Sequence, residues 1–394
     1  MSRVRVRLPA RQRKYEIKIG AGLLSKLGGE ARQCLGPNAR RLAVISNKRV
    51  FDLLGEKAMR SLRASGFACA HWLMKDGERH KSLRTLEQAI TFLAESRLER
   101  SDAVVALGGG VVGDLAGFAA ASYLRGVAFI QVPTTLLAQI DASVGGKTGV
   151  NMPAGKNVIG AFHQPSLVLI DTETLRTLPR RDLTAGWCEA VKQGVVGNRR
   201  LFDRTIRFLR SGTDLSPHLH DQSRSRTHVR ATTTLQELDE LIAAHCRFKA
   251  SIVGRDEQEE VNRTDHLSRR ILNFGHTTAH ALETVSGYRR FRHGEAVGHG
   301  MLVAGEISKN LGTLGSGELE SLREAVVLCG PLPRADDLSI SEIVKAMERD
   351  KKSLGGVMKW VLLERIGRAR IVDGTEIKPG LLRESLRSGL RFIS

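Results

Sequence analysis

Short apolar runs alternate with stretches of helical period through the first half of the chain. Leu42–Ser46, Ala68–Leu73, Ala103–Leu107, Val127–Val132 and Leu167–Ile170 read as strands, and Arg84–Glu95 between them has the period of a helix. Such alternation predicts a mostly parallel sheet with helices on its faces. Upstream, Val4, Val6 and Leu8 alternate with Arg3, Arg5 and Arg7, and Tyr15–Gly20 follows. A period of two predicts two strands of the fold here rather than an Arg-rich transit peptide.

Beyond Pro179 helical patterns dominate, at Leu183–Val196, Leu235–Val253, Ile271–Val285, Ala296–Asn310, Ser316–Val327 and Ile340–Arg349. The change falls near Thr177–Arg181 and predicts an α/β domain over 1–178 and a mostly helical domain over 179–394. Lys359–Leu363 and Ala369–Val372 flank Gly367 and read as a hairpin. Ser211–Thr234 carries few apolar residues and reads as a loop insertion or a mobile connection.

The 394 residues are 41% hydrophobic and 26% charged, a globular balance that excludes wholesale disorder. No apolar run approaches the ~18 residues of a membrane helix, so no membrane partner is expected. Lys and Arg exceed Asp and Glu by 19. That excess suits a polyanion, and aromatic residues at 5% supply no stacking platform for nucleic acid. The excess is read as a solvated basic surface, and nucleic acid is not an expected partner. Cys34, Cys69, Cys188, Cys246 and Cys329 are odd in number and lack a Cys-x-x-Cys pair. Neither a disulfide framework nor a thiolate zinc site follows, and a reducing cytoplasm is expected.

Gly108-Gly109-Gly110-Val111-Val112-Gly113-Asp114 follows a predicted strand and opens a predicted helix. It satisfies G-x-G-x-x-G, whose glycines let backbone approach a diphosphate at a helix N-terminus. The sheet is thus expected to be Rossmann-like. The acid expected ~20 residues on for a ribose is missing, since the next strand ends in Val132-Pro133-Thr134-Thr135. The loop is either a variant dinucleotide site or another anion site.

Asp141-Ala-Ser-Val-Gly-Gly-Lys147-Thr148 sets an acid, a glycine hinge and a lysine close together, followed by Lys156 and Asn157. The upstream spacing of a P-loop is absent, so a lysine aimed at a substrate phosphate is expected instead of ATP. Glu189 and Lys192, three apart, share one face of a half-buried helix. His276, His280 and His293 fall within eighteen positions, the first and last of them next to a glycine. A Glu with two His is a typical catalytic zinc set, and the four-residue step from His276 to His280 suits two ligands of one metal.

GGGVVGDLAGF, YLRG, QVPTTLLAQIDASVGGKTGVN, GKNVIGAFHQP, LNFGHTTAHALE, HGEAV and DKK occur in this order. Together they resemble the 3-dehydroquinate synthase family of sugar-phosphate cyclases. The resemblance implies an N-terminal α/β domain with NAD, a mostly helical C-terminal domain, an active site between them and a homodimer. It implies NAD contacts at Asn47, Asp76, Gly77, Glu78, Lys81, Gly110, Val111, Val112, Gly113, Asp114, Thr134, Thr135, Lys147, Lys156, Thr174, Leu175, Arg176 and Thr177. It implies Glu189, His276 and His293 as ligands of Zn²⁺ or Co²⁺, with His280 facing substrate. Substrate contacts would be Asp141, Lys147, Asn157, Lys192, Lys249, Glu259, Arg269, Asn273, His280 and Lys351, with Arg125 reaching from the neighbouring subunit.

Members of that family convert 3-deoxy-D-arabino-heptulosonate 7-phosphate (DAHP) into 3-dehydroquinate and phosphate, in the shikimate pathway. A transient oxidation by NAD acidifies a neighbouring C–H bond, phosphate leaves, and the hydride is returned. The rivals are a cyclase for a sugar phosphate without a carboxylate and a metal-dependent polyol dehydrogenase. The carboxylate-binding set of Arg269, Lys249, Asn273 and His280 implied by the resemblance favours DAHP over the first.

Overall fold

A computed structural model describes residues 14–153, 155–211, 227–260, 263–353 and 358–393, with the side chains of 227–234 and 350–353 outside that description. The N-terminal half carries strands β1 (Glu16–Gly20), β2 (Arg41–Asn47), β3 (Ala68–Met74), β4 (Ala103–Gly108), β5 (Ala128–Pro133), β6 (Lys147–Met152), β7 (Gly155–Phe162) and β8 (Leu167–Asp171). Helices α1 (Leu27–Leu35), α2 (Lys48–Val50), α3 (Glu56–Ala64), α4 (Leu83–Glu95) and α5 (Gly110–Ser122) connect them. The five strands expected from apolar runs form within a residue or two of their predicted ends, as does the one at Glu16–Gly20. The strand expected at Val4–Leu8 lies outside the described residues.

Six strands pair in the order β1-β8-β5-β4-β2-β3, and every pairing is parallel. Side chains alternate between two covered faces. Val44, Val105, Leu107, Ile130 and Val132 pack with Leu24, Leu27, Met59 and Leu62. Ala43, Ile45, Val104, Ala106 and Phe129 pack on the other face with Leu86, Leu93, Val112 and Leu115. A sheet buried on both faces needs the continuous apolar runs seen in the sequence.

The chain steps from β2 outward to β3, then returns to place β4 on the other side of β2. This reversal opens a crevice beyond the C-terminal ends of β2 and β4, where open α/β sheets bind ligands. Asn47 ends β2, Asp76–Lys81 follow β3, Gly110–Asp114 follow β4, Thr134 and Thr135 follow β5, and Thr174–Thr177 follow β8. Parallel pairing brings all five segments to one edge.

The second half is helical: α6 (Arg180–Gly197), α7 (Arg199–Arg210), α8 (Thr227–Val253), α9 (His276–Val285), α10 (His293–Asn310), α11 (Ser316–Leu328), α12 (Ile340–Ser353) and α13 (Pro379–Arg391). Val168 and Ile170 of β8 join its apolar core, so the sheet's β8 side is buried under the helices. Strands β9 (Lys359–Arg365) and β10 (Arg368–Asp373) form the expected antiparallel hairpin, turning through Gly367 at φ +88°.

Two expectations are corrected, and one element was not foreseen. Ser211–Thr234 is not a loop throughout, because α8 starts at Thr227; residues 212–226 lie outside the described residues. Ile271–Val285 is not one helix. A 3-10 turn at Arg269–Asn273 ends before Gly275, whose φ of +78° breaks the run. A Cβ at Gly275 would lie 2.8 Å from the Met301 nitrogen, so glycine is required there. Finally, β6 and β7 form an antiparallel hairpin that the sequence pattern did not announce. Its glycines and lysines hide any period of two.

Candidate active site

Two close backbone crossings bring three helices together. A Cβ on Gly294 of α10 would lie 1.9 Å from the Ala185 carbonyl oxygen of α6, and one on Gly300 would lie 2.0 Å from the Gly275 carbonyl oxygen. Only glycine permits such contact. The start of α10 is further fixed by buried Glu295, which accepts from the Arg292 backbone N–H at 2.7 Å and from Arg181 at 2.6 and 2.7 Å. The result is that Glu189 on α6, His276 opening α9 and His293 opening α10 offer donor atoms that all lie within 4.8 Å of one another.

Glu189 is fully buried. Its Oε1 lies 3.9 Å from His276 Nε2 and 3.6 Å from His293 Nε2. Lys192 Nζ stands 2.5 Å from Oε2. This is a charge contact, since neither oxygen has a hydrogen bond of proper angle. His276 Nδ1 lies 3.2 Å from the Phe274 carbonyl, which can only accept. Nδ1 therefore carries the proton, and Nε2 keeps a lone pair directed to the cage. Burial, then Lys192 and the other two histidines, hold the His276 pKa well below its usual value. His280 stacks edge-on to His276 at 5.7 Å between ring centres but is not part of the three-residue set. The four-apart pair is thus split between two positions.

Beside the cage, Asp141 lies between two buried lysines. Lys249 pairs with its Oδ1 and reaches its backbone oxygen at 2.5 Å, and Lys192 lies 3.8 Å from Oδ2. Burial opposes ionisation of Asp141, but Lys249 and Lys192 outweigh it and hold the carboxyl well below the usual range. Burial pushes Lys249 down against the pull of Asp141. On Lys192, burial is overcome by Glu189 and Asp141, which raise its pKa.

A second cluster is centred on Lys81, 3% exposed. Its ammonium meets Asn157 Oδ1 at 2.5 Å, Asp114 Oδ2 at 2.8 Å and Glu78 Oε1 at 3.5 Å. Asn151 ties Glu78 and the Asn157 backbone into the set at 2.8 and 2.9 Å. Burial raises the Asp114 pKa despite Lys81. Glu78 is lowered: burial opposes, while Lys81, Lys156 and then His293 prevail. The two clusters therefore feel each other.

Lys147 pairs with Glu259, which accepts from Asn273 at 3.2 Å. Arg269 is buried and donates to the Glu257 and Gly145 carbonyls at 2.7 and 3.0 Å. Lys156 lies 2.9 Å from Glu283.

The remaining expected residues are spread along the sheet edge. Helix α5 starts after Gly109 with no side-chain cap, leaving the first-turn N–H groups of Gly110–Val112 to another acceptor. Val112 and Gly113 are buried, and Gly110 and Val111 are half-buried. Asn47 caps α2 by accepting from Val50 N–H at 2.9 Å. Thr134 is buried, Thr135 accepts from Ala138 N–H at 3.2 Å, and Thr174 donates to the Asp171 carbonyl at 2.7 Å. Leu175 lies wholly in the core, while Arg176 and Thr177 are exposed, as are Asp76 and Gly77. Arg125 lies on an exposed turn at φ +65°. No bond joins it to the cage among the described residues. The side chain of Lys351, in the last turn of α12, is outside the described residues.

Sequence reasoning missed Glu283 and the neutral His245, which bridges Gln193 at 3.0 Å and Thr205 at 3.1 Å. Glu283 was findable. His276, His280 and Glu283 stand at i, i+4 and i+7, one face of a helix.

A doubly covered parallel sheet with an uncapped glycine loop, set against a helical half carrying two imidazoles and a carboxylate, defines an α/β protein of the sugar-phosphate cyclase fold. The family model for the 3-dehydroquinate synthase N-terminal region matches residues 71–185, and that for the C-terminal region matches 186–353. The chain belongs to the 3-dehydroquinate synthase family. The 3-dehydroquinate synthase of Microcystis aeruginosa is 42% identical, with 97% of this chain and 96% of that one covered. The Gloeobacter violaceus 3-dehydroquinate synthase is also 42% identical, at 98% and 99% coverage. Among solved structures, 2-epi-5-epi-valiolone synthase from Streptomyces hygroscopicus, with NAD+ and Zn2+ bound, superposes with a TM-score of 0.81 at 25% identity, covering 98% of this chain and 99% of that one. A 2-deoxy-scyllo-inosose synthase shares the fold, with a TM-score of 0.76 at 23% identity, covering 95% and 97%.

Proposed function

We propose that this chain converts DAHP to 3-dehydroquinate and phosphate, using NAD and one divalent cation, Zn²⁺ or Co²⁺. The observation that carries the reading is the donor cage beside buried lysines, in a chain about 40% identical to 3-dehydroquinate synthases over nearly its whole length. The residues fit a cation. Two buried carboxylate oxygens without donors and two Nε2 lone pairs make a three-ligand set of the kind that leaves a position open. They fit a dinucleotide too, because the uncapped start of α5 offers N–H groups to a diphosphate.

A cation held by Glu189, His276 and His293 would polarise substrate oxygens, and NAD at the sheet edge would supply the transient oxidation that loosens the neighbouring C–H bond. The chain's own residues do the rest. Lys192 and Lys249, already charged against Asp141, place cations next to the cage for an anionic substrate. Asp141 keeps both lysines aimed and accepts hydrogen bonds from substrate hydroxyls. Lys147, Asn157, Asn273, Arg269, Glu259, His280 and Lys351 bind and orient the phosphate, the carboxylate and the ring oxygens. Their ionic partners in this structure, such as Glu259 for Lys147, are exchanged for substrate on binding. Glu78, Lys81, Asp114, Thr134, Thr135, Lys156 and the Thr174–Thr177 turn surround the dinucleotide.

The same reading divides the chain near residue 178 and makes it a cytoplasmic homodimer, in which Arg125 crosses from one protomer to its partner's site. Purified protein supplied with NAD and Zn²⁺ should release phosphate from DAHP with no accumulation of NADH, and a chelator should stop it. Net NADH production would make it a dehydrogenase, and faster turnover of a sugar phosphate lacking the carboxylate would make it another cyclase.

A further inference from the structure

The implied ligands leave one buried acid beside the cage unexplained. Glu283 on α9 is 3% exposed. Its Oε1 lies 3.4 Å from His293 Nδ1 and 2.9 Å from Lys156 Nζ, and its Oε2 has no hydrogen-bond partner. Lys156 comes from strand β7 on the sheet side, and its ammonium also lies 4.8 Å from the centre of the Tyr288 ring.

We propose that Glu283 is a positioning residue for His293, and that Lys156 holds Glu283 in place, so that the β6–β7 hairpin is mechanically tied to the cation cage. A carboxylate can only accept, so it keeps the proton of His293 on Nδ1 and leaves the Nε2 lone pair free at 3.6 Å from Glu189. The Phe274 carbonyl does the same for His276. The two imidazoles are thus oriented by different means, one by a backbone carbonyl within its own segment, the other by a carboxylate that a distant hairpin steadies. An ammonium has three donors, so Lys156 can hold Glu283 and still face a bound dinucleotide.

The inference rests on the cage reading above, and cation binding tests both. Co²⁺ is titrated into metal-free protein and followed by visible absorption, with Zn²⁺ affinity measured by calorimetry. Glu283→Ala should weaken affinity about ten- to hundredfold and alter the cobalt absorption bands, because the His293 ring is no longer fixed. Glu283→Gln keeps an oxygen for Nδ1–H and should recover most of the loss. Lys156→Met should weaken affinity a few-fold. Thermal unfolding of the metal-free variants separates this from general damage. If Glu283→Ala fails to fold, Glu283→Asp, which draws the carboxylate back by one methylene, should still show a loss near tenfold. Failure of the unaltered protein to bind Co²⁺ would overturn the cage itself. Binding by that protein together with equal affinity in Glu283→Ala, or in Glu283→Asp, would overturn only the positioning role.

Discussion

Lys81 and Glu189 are both buried charged side chains, and their surroundings differ in one respect. Lys81 meets an amide oxygen and two carboxylates, and Asn151 ties Glu78 and the Asn157 backbone together. Both oxygens of Glu189 lack a hydrogen-bond donor, and its nearest cation makes only a charge contact. The first cluster is satisfied by the chain. The second is satisfied only with something added. An unpaired buried acceptor costs stability, and a fold retains one where a ligand supplies the missing partner. The cage therefore answers to function, and the Lys81 cluster answers to both folding and function.

The sharpest way to break this comparison is Glu189→Gln. Turnover and Co²⁺ affinity should both fall by at least about a thousandfold, near 4 kcal/mol, while the metal-free protein loses less than about 1 kcal/mol. A large stability loss with retained cobalt binding would reverse the roles assigned here. Gly294→Ala tests the crossing that builds the cage. Its methyl would meet the Ala185 carbonyl oxygen at 1.9 Å, so α10 must move away from α6, at a cost of about 3 kcal/mol. Chemical denaturation measures that cost, and cation affinity should drop with it. Lys81→Met attacks the self-satisfied cluster. It leaves Asp114 and Glu78 facing each other and should destabilise by about 2.5 kcal/mol in urea, short of a fully buried pair because both acids are partly exposed.

The smallest effect is a pH dependence. His245 is fully satisfied by Gln193 and Thr205, and burial depresses its pKa from 6.5 to about 3. In the unfolded chain it takes up a proton below 6.5, whereas the folded chain refuses it until about 3. Its contribution to stability is therefore complete above 6.5 and is lost as pH falls through that window. About 2 kcal/mol should go between pH 6.5 and roughly pH 5. The difference between unfolding free energies of the unaltered protein and His245→Gln isolates this from His276 and His299, which shift the same way. An identical slope in both proteins would remove His245 as the source.

Strands β2, β4, β5 and β8 were legible because each is buried on two faces and so must be a continuous apolar run, and the half-buried edge strand β3 was legible from its own short run of small and apolar residues. The glycine loop was legible because its turn requires residue types that little else requires. The β6–β7 hairpin was not, since Lys147, Asn151, Lys156 and Asn157 hold ionic and amide partners instead of a core. The break at Gly275 was invisible for another reason. A glycine in a helical pattern is ordinary until a second backbone, here Gly300, is found against it.

Local pattern alone determined the α/β order of the first half, the helical character of the second, and which residue types could do chemistry. Those properties follow from neighbours a few positions apart, through period, caps and turns. Tertiary structure decided that Glu189, His276 and His293 share one cage, that His280 stands outside it, and that Glu283 and Lys156 stand behind His293. Those contacts join α6, α9, α10 and β7 across long stretches of chain. The three cage helices meet because Gly294 and Gly300 let backbones touch, a condition no local window can contain.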